Sequence, residues 1–230
     1  MDLAQLYPWP EGPWLRTMMV MTLDGATVGP DGLSGSISGA ADRRVFMEAR
    51  RLADAVLVGA GTIRAERYRP MIAKPEWQEA RTAAGLAPAP QIVVVSGALD
   101  LPWEEPMFAE STLPVIVATT LDADASRLAR ARAHAEIVQV GEGSVDVEAL
   151  MGVLRDRGLE HITCEGGEAL FDARVRAEMV DEMDLTISPV LAAAGHLPDP
   201  DLAIKEPYPR FSLAHQFTDE GFVFCRFVRE

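Results

Sequence analysis

Two carboxylates stand where this sequence could do chemistry. Asp24 falls in Thr22-Leu23-Asp24-Gly25 and Glu165 opens Glu165-Gly166-Gly167; each follows an apolar run and meets a turn glycine. A third turn, Gly59-Ala60-Gly61-Thr62, follows the apolar residues 53–58. Glycines carry no Cβ, so N–H groups at Gly166, Gly167 and along Glu168, Ala169, Leu170 and Phe171 at the next helix start can approach a phosphate closely. Alone, the Glu165 segment reads equally well as a turn with a solvated acid, Asp24-Gly25 reads more simply as a turn, and Gly59-Ala60-Gly61 is weak evidence. The dinucleotide fingerprint G-x-G-x-x-G is also broken, because Arg64 takes the place of its third glycine. Taken together they say more. If their strands are parallel, all three termini face one side and gather Asp24, Glu165, Thr22, Thr62 and three sets of backbone donors in one cleft. Such a cleft suits a nucleotide cofactor lying across glycine turns, with a polar substrate beside the carboxylates.

The elements that must position these residues alternate strand and helix nearly to the end of the chain. Residues 14–23 form an apolar run continuous enough for a strand buried on both faces, after an extended, proline-stiffened lead-in over 1–13. Residues 29–38 make a small-residue loop carrying Ser34 and Ser36. A helix over 40–52 packs Val45, Phe46, Ala49 and Leu52 and ends at Arg50 and Arg51, whose plain role is to complement the helix dipole. Further strands fall at 91–96, 113–119, 136–140 and 183–191, with a loop through Trp103. Further helices fall at 76–84, 125–133, 145–157 and 169–179; Val147, Leu150, Met151 and Leu154 form the buried stripe of the third. Residues 211–217 and 222–228 form an antiparallel hairpin after a Pro/Gly/Ala loop reaching about residue 210. The pattern predicts one α/β domain over 1–230, with a mainly parallel sheet, helices on both faces and an antiparallel C-terminal edge.

Composition narrows the function classes. At 230 residues and 48% hydrophobic the chain can bury a substantial core. A net charge of -14 opposes a nucleic-acid surface, which needs a clustered basic excess. Cys164 and Cys225 are too few and too far apart for a disulfide framework or a zinc site, so reduced thiols in a cytoplasmic protein, with no metal, are expected. The acidic, proline-containing start does not read as a signal peptide, and no apolar run is long enough to span a bilayer.

Thr22 to Gly25, residues 54–62, Glu165 to Gly167 and residues 180–191, in this order and spacing, resemble the reductase domain of the bacterial RibD-type riboflavin-biosynthesis deaminase-reductases. The resemblance implies a dihydrofolate reductase-like fold, usually dimeric, that binds NADPH. It further implies reduction of 5-amino-6-(5-phosphoribosylamino)uracil, with hydride delivered to the ribose carbon and the sugar opened to the ribityl form. Val20, Asp24, Thr62, Glu66 and the turn from Gly167 onward then match cofactor-contacting positions, with Gly59, Ala60, Gly61 and Gly166 beside them. Ser34, Arg50 and Glu165 match substrate-contacting ones, and an Arg fork at Arg50 suits a phosphate. Asp24 is assigned to polarising or protonating the sugar and Glu165 to holding the pyrimidine's donor groups. Ser96 is a candidate for the cofactor 2′-phosphate, although a core-strand terminus is its plainer reading.

The sequence departs from this family in several places. The deaminase signature is missing from these residues: His161-Ile162-Thr163 and two distant cysteines cannot supply it. After Thr62 the usual Asp-Pro-x-Leu-Thr-x-Arg becomes Glu66-Arg67-Tyr68-Arg69-Pro70-Met71, leaving Arg67 and Arg69 as alternative phosphate ligands. Ser36 stands where the family carries Trp. These changes keep open a pterin or dihydrofolate reductase on the same fold and, from another class, a non-catalytic nucleotide-binding module.

Overall fold

The computed structural model describes residues 2–176, 178–192 and 209–230. Its helices are α1 Leu3–Leu6, α2 Ala40–Arg51, α3 Ala60–Glu66, α4 Pro75–Ala83, α5 Pro106–Glu110, α6 Ala125–Ala131, α7 Val147–Asp156 and α8 Glu168–Arg176. Its strands are β1 Trp14–Met21, β2 Ala55–Gly59, β3 Gln91–Val95, β4 Ile116–Thr119, β5 Glu136–Gln139, β6 His161–Cys164, β7 Glu182–Ile187, β8 Phe211–Asp219 and β9 Phe222–Arg229. Among the described residues they form one sheet ordered β5-β4-β3-β2-β6-β1-β7-β9-β8. The pairs from β5 to β7 are parallel, whereas β9 pairs antiparallel with both β7 and β8. The mainly parallel sheet and antiparallel C-terminal hairpin are therefore as the sequence pattern implies.

Every residue of β2 is buried, which is why it reads as an unbroken apolar run. Ala55 and Leu57 face Leu150, Leu154 and Leu170 of α7 and α8, while Val56 and Val58 face Ile63, Met107 and Ala131 of α3, α5 and α6. Helices therefore cover both faces. The stripe expected on α7 is buried at all four positions, and Asp146 caps that helix by accepting from the Ala149 N–H.

Three local expectations are corrected. Residues 60–62 are the first turn of α3 rather than an open glycine turn, because Ile63 anchors the segment in the core and overrides the low helix propensity of Gly61. The loop past Trp103 contains α5, started by Pro106 at its first position and held by buried Met107 and Phe108. The lead-in contains α1, capped by Asp2. The Pro/Gly/Ala loop expected up to residue 210 falls mostly on 193–208, outside the described residues.

The lead-in is fastened by charge. Arg16 on β1 is fully buried; its Nε donates to Glu182 at 2.6 Å and its Nη atoms donate to the Tyr7 and Pro8 carbonyls. Trp9 lies over the same guanidinium at 4.1 Å. Arg226 on β9 forms a fork on Glu182, at 2.9 and 2.8 Å. Burial works against the Glu182 charge, but the Arg226 hydrogen bonds and the charges of Arg16 and Arg226 outweigh it and hold the carboxyl below its usual range. Asp184 beside it goes the other way, pushed well up by burial and by Glu182. Asp184 Oδ2 stands 3.4 Å from Arg16 Nε, but neither Asp184 oxygen accepts a hydrogen bond, so the arginine charges do not offset its burial and keeping its proton lowers that cost.

Candidate active site

Strand order brings the three expected termini together. β6 lies between β2 and β1, all parallel, so Glu165 after β6 is flanked by Gly59 ending β2 and by the Thr22 to Gly25 turn after β1. The β2 and β6 turns pack back to back. The Gly59 N–H donates to the Gly166 carbonyl at 3.1 Å, and a Cβ on Gly167 would stand 3.0 Å from the Gly59 Cα. Gly167 also has a φ of 101°, where an L side chain is strained. These two glycines thus serve the close approach of two turns. Gly61 and Gly166 differ from them: a Cβ on Gly61 would meet nothing within 4 Å, and one on Gly166 only the Thr62 Oγ1 at 4.0 Å. The backbone at Gly61 and Gly166 is therefore uncovered, the condition for a ligand phosphate to approach N–H groups closely.

At the lip of these turns the Glu165 side chain is 1% exposed, although the residue as a whole is only half-buried. Its carboxylate receives both prongs of the Arg50 fork, Nε and Nη2, each at 2.5 Å, and the Tyr68 hydroxyl donates to it as well. Burial pushes the Glu165 carboxyl up, against the charge and hydrogen bonds of Arg50. Arg50 lies near the Phe46 ring at 4.4 Å and the Tyr68 ring at 5.3 Å, so its fork is held from two sides. Its C-terminal place on α2 is satisfied at the same time as its pairing to Glu165, so the two readings of Arg50 coexist.

The other expected residues fall into three groups. Ser34 and Glu66 meet: the Ser34 N–H and Oγ both donate to the Glu66 carboxylate, at 2.8 and 2.9 Å, which ties the small-residue loop to the end of α3. Asp24 is exposed and engaged locally, accepting from Thr22 Oγ1 at 2.6 Å and the Ala192 N–H at 3.1 Å. Val20 is half-buried on β1, Ala60 opens α3, and Ser96 is buried just past β3, on the strand beside β2. Two residues expected at the cofactor turn have apolar side chains that pack elsewhere. Leu170 is buried in the core beneath α8, and Phe171 lines an apolar cavity of about 280 Å³ with Met183, Phe211 and Phe227, toward the hairpin. The apolar character of both side chains draws them into packing, so only their backbone, with that of Glu168 and Ala169, remains for a ligand at the turn.

Arg67 and Arg69 are exposed and make no hydrogen bond or ion pair among the described residues. Sequence reasoning passes over two neighbours of theirs. Tyr68, in no motif, reaches the carboxylate. Lys74, half-buried, contacts Met47 Sδ at 3.8 Å and the Trp77 ring at 4.5 Å; burial lowers its pKa, with the charge of Glu76 opposing and that of Arg50 adding to the shift. Among the described residues no three His, Cys, Asp or Glu side chains are grouped to hold a metal, and no helix is long and apolar enough to cross a membrane.

A mainly parallel sheet with glycine turns at its switch point and an antiparallel C-terminal hairpin defines a dihydrofolate reductase-like reductase fold. Dihydrofolate reductase from Enterococcus faecalis, solved with NADP(H), superposes with a TM-score of 0.51 at 12% identity, covering 94% of this chain and 96% of that one. A pyrimidine reductase-like protein from Corynebacterium diphtheriae superposes at 0.85 and 22% identity, covering 100% and 95%. The RibD C-terminal domain family matches residues 13–220, and the chain belongs to that family. A relative from Methanothermobacter thermautotrophicus, 31% identical over 78% of this chain and 79% of its own length, is a 2,5-diamino-6-ribosylamino-4(3H)-pyrimidinone 5′-phosphate reductase.

Proposed function

We propose that this chain is an NADPH-dependent pyrimidine reductase of riboflavin biosynthesis, converting a 6-ribosylaminopyrimidine 5′-phosphate to its ribitylamino form. The observation that carries the reading is a buried carboxylate, Glu165, held by Arg50 beside an open glycine cradle. Family membership supports the reductase class, and the relatives' names support the substrate class. Gly61, Thr62 and Gly166 would hold the pyrophosphate of NADPH, with Ser96 a candidate for its 2′-phosphate and Val20 and Glu66 further candidate contacts. When bound, this cofactor supplies the hydride. The protein's own contribution is to orient the substrate and keep it dry. Glu165 accepts hydrogen bonds from the pyrimidine's N–H groups. Arg50 and Lys74, close enough for their charges to interact, are the cations assigned to the substrate phosphate, with the exposed Arg67 and Arg69 as alternatives. Asp24, oriented by Thr22, delivers or holds a proton at the sugar.

Two pyrimidine rings meet these requirements: 5-amino-6-(5-phosphoribosylamino)uracil and the 2,5-diaminopyrimidinone named for the relatives. Oε2 of Glu165 already takes Arg50 and Tyr68, so the shared contact is one ring N–H at Oε1, which both pyrimidines and a pterin can supply. NADPH oxidation with each of the two ribosylaminopyrimidine phosphates and with dihydrofolate, followed by product identification, separates them. A ribitylamino product supports the reading; oxidation with dihydrofolate alone transfers the activity to pterins; binding of NADPH with no oxidation leaves a nucleotide-binding module. The reading includes a cytoplasmic homodimer joined through the C-terminal hairpin, and sedimentation velocity giving a monomer removes the dimer from it.

A further inference from the structure

Tyr68 is set at the Glu165 carboxylate by three independent features. The residue before it, Arg67, closes α3 in the left-handed region with φ 45°, an unfavourable conformation for a side chain with a Cβ, which ends the helix immediately before Tyr68. The ring packs against the core cluster that includes Ile63, Met71 and Trp103, so the polar contacts are not all that holds it. The hydroxyl then satisfies both of its roles at once, accepting from Arg50 Nη2 at 2.6 Å and donating to Glu165 Oε2. Arg50 alone binds both carboxylate oxygens, yet its side chain is 15% exposed, against 1% for Glu165, so it is the member of the pair a phosphorylated ligand can reach. A carboxylate that must accept a substrate's N–H groups while its arginine is shared with that substrate needs a second donor that stays in place. Tyr68 is the only other side chain donating to Glu165 among the described residues.

We propose that Tyr68 is a positioning residue of the substrate site, whose hydroxyl bridges Arg50 and Glu165 and so fixes the carboxylate that receives the pyrimidine's donor edge. The inference rests on the reading of Glu165 as the base-recognising acid. It also makes the altered segment after Thr62 a specificity element: this chain supplies an aromatic hydroxyl from a stretch whose arginines point to solvent. A purely structural Tyr68 would act through its ring, which contacts the core and lies beneath Arg50; a positioning Tyr68 acts through one oxygen.

Tyr68→Phe removes that oxygen and keeps the ring. In steady-state assays with NADPH and the ribosylaminopyrimidine phosphate, the variant's KM for the pyrimidine should rise about tenfold or more, the loss expected for one hydrogen bond to a charged group. kcat and NADPH affinity should stay near the wild-type values. The acidic limb of kcat/KM should move to higher pH, because Glu165 loses a donor that favours its charged form. Unchanged KM and an unmoved acidic limb overturn the proposal. A second measurement needs no substrate: the side-chain carboxyl signal of Glu165 in ¹³C-glutamate-labelled protein, assigned by its loss in Glu165→Gln, followed through a pH titration. Its midpoint should lie higher in Tyr68→Phe than in the wild type, and coincident midpoints overturn the proposal. A wild-type enzyme that oxidises NADPH with no ribosylaminopyrimidine phosphate defeats the functional reading instead, and the titration still decides whether Tyr68 controls Glu165.

Discussion

Two arginine–carboxylate clusters are buried on the same sheet, and they are built for different ends. Around Glu182, both Arg16 and the carboxylate are fully buried, and the arginine nitrogens are spent on Glu182 and on lead-in carbonyls. Around Glu165, the carboxylate is sealed by Arg50 and Tyr68, but Arg50 keeps an open edge and the neighbouring turn keeps an open cradle. Burying a charge is costly unless it is paired. The first cluster meets that cost internally and so fastens chain to chain. The second leaves part of its hydrogen-bonding capacity facing outward, where a ligand can complete it. Pairing alone therefore does not mark a functional site; an open side next to backbone donors does.

Substitutions in each cluster should separate stability from activity, and the largest effect is expected in the closed one. Arg16→Met removes the fully buried cation beside Glu182 and Asp184, leaving Arg226 as the cation on Glu182, and should cost about 3–5 kcal/mol in chemical denaturation, while specific activity per folded molecule changes little. A fall in activity larger than the fall in folded fraction would mean that the lead-in belongs to the site. Arg50→Lys keeps the charge and loses the fork. It should lower kcat/KM for the pyrimidine by about 1.4–3 kcal/mol of transition-state binding with a small change in stability, and the reverse pattern would make Arg50 a structural residue.

Gly167→Ala places a Cβ 3.0 Å from the Gly59 Cα at positive φ. A loss of about 1–3 kcal/mol in stability, with weakened NADPH binding measured by calorimetry, is expected from that strain. Normal NADPH affinity would show that the paired turns do not shape the cradle.

The smallest effect is a slope. Asp184 has a folded pKa raised by burial and by Glu182, so the folded state binds its proton more tightly than the unfolded chain does. Its favourable contribution is complete below the ordinary carboxylate range and is lost as pH rises through the raised value. Asp184→Asn should therefore gain stability relative to wild type as pH rises, on the order of 1 kcal/mol, with the two proteins converging in acid. Parallel melting curves at all pH values would show that Asp184 is ionised in the folded state.

Most of the sheet was legible because its strands are buried on both faces and read as apolar runs between glycine turns, and α7 because its four apolar positions recur at helical spacing. α3 was hidden by Gly61, whose low propensity is overridden by one buried side chain, Ile63. At the site, Glu165, Asp24 and the glycines were visible because they stand at strand ends. Arg16 was not, since one charged residue inside an apolar run looks like an interruption until Glu182 appears across the sheet, 166 residues away. Tyr68 was hidden for a related reason: its partners are 18 and 97 residues distant, and its arginine neighbours carry the more familiar chemistry.

The most direct test of the central claim, that Glu165 is the acid that receives the substrate, compares wild-type protein with Glu165→Gln in one experiment. NADPH affinity and NADPH oxidation with ribosylaminopyrimidine phosphate are measured side by side. Gln keeps the shape and removes the charge, so NADPH should bind as in the wild type while kcat/KM for the pyrimidine falls about a hundredfold or more, the loss of a charged recognition pair in a buried site. Equal kcat/KM in the two proteins would contradict the account.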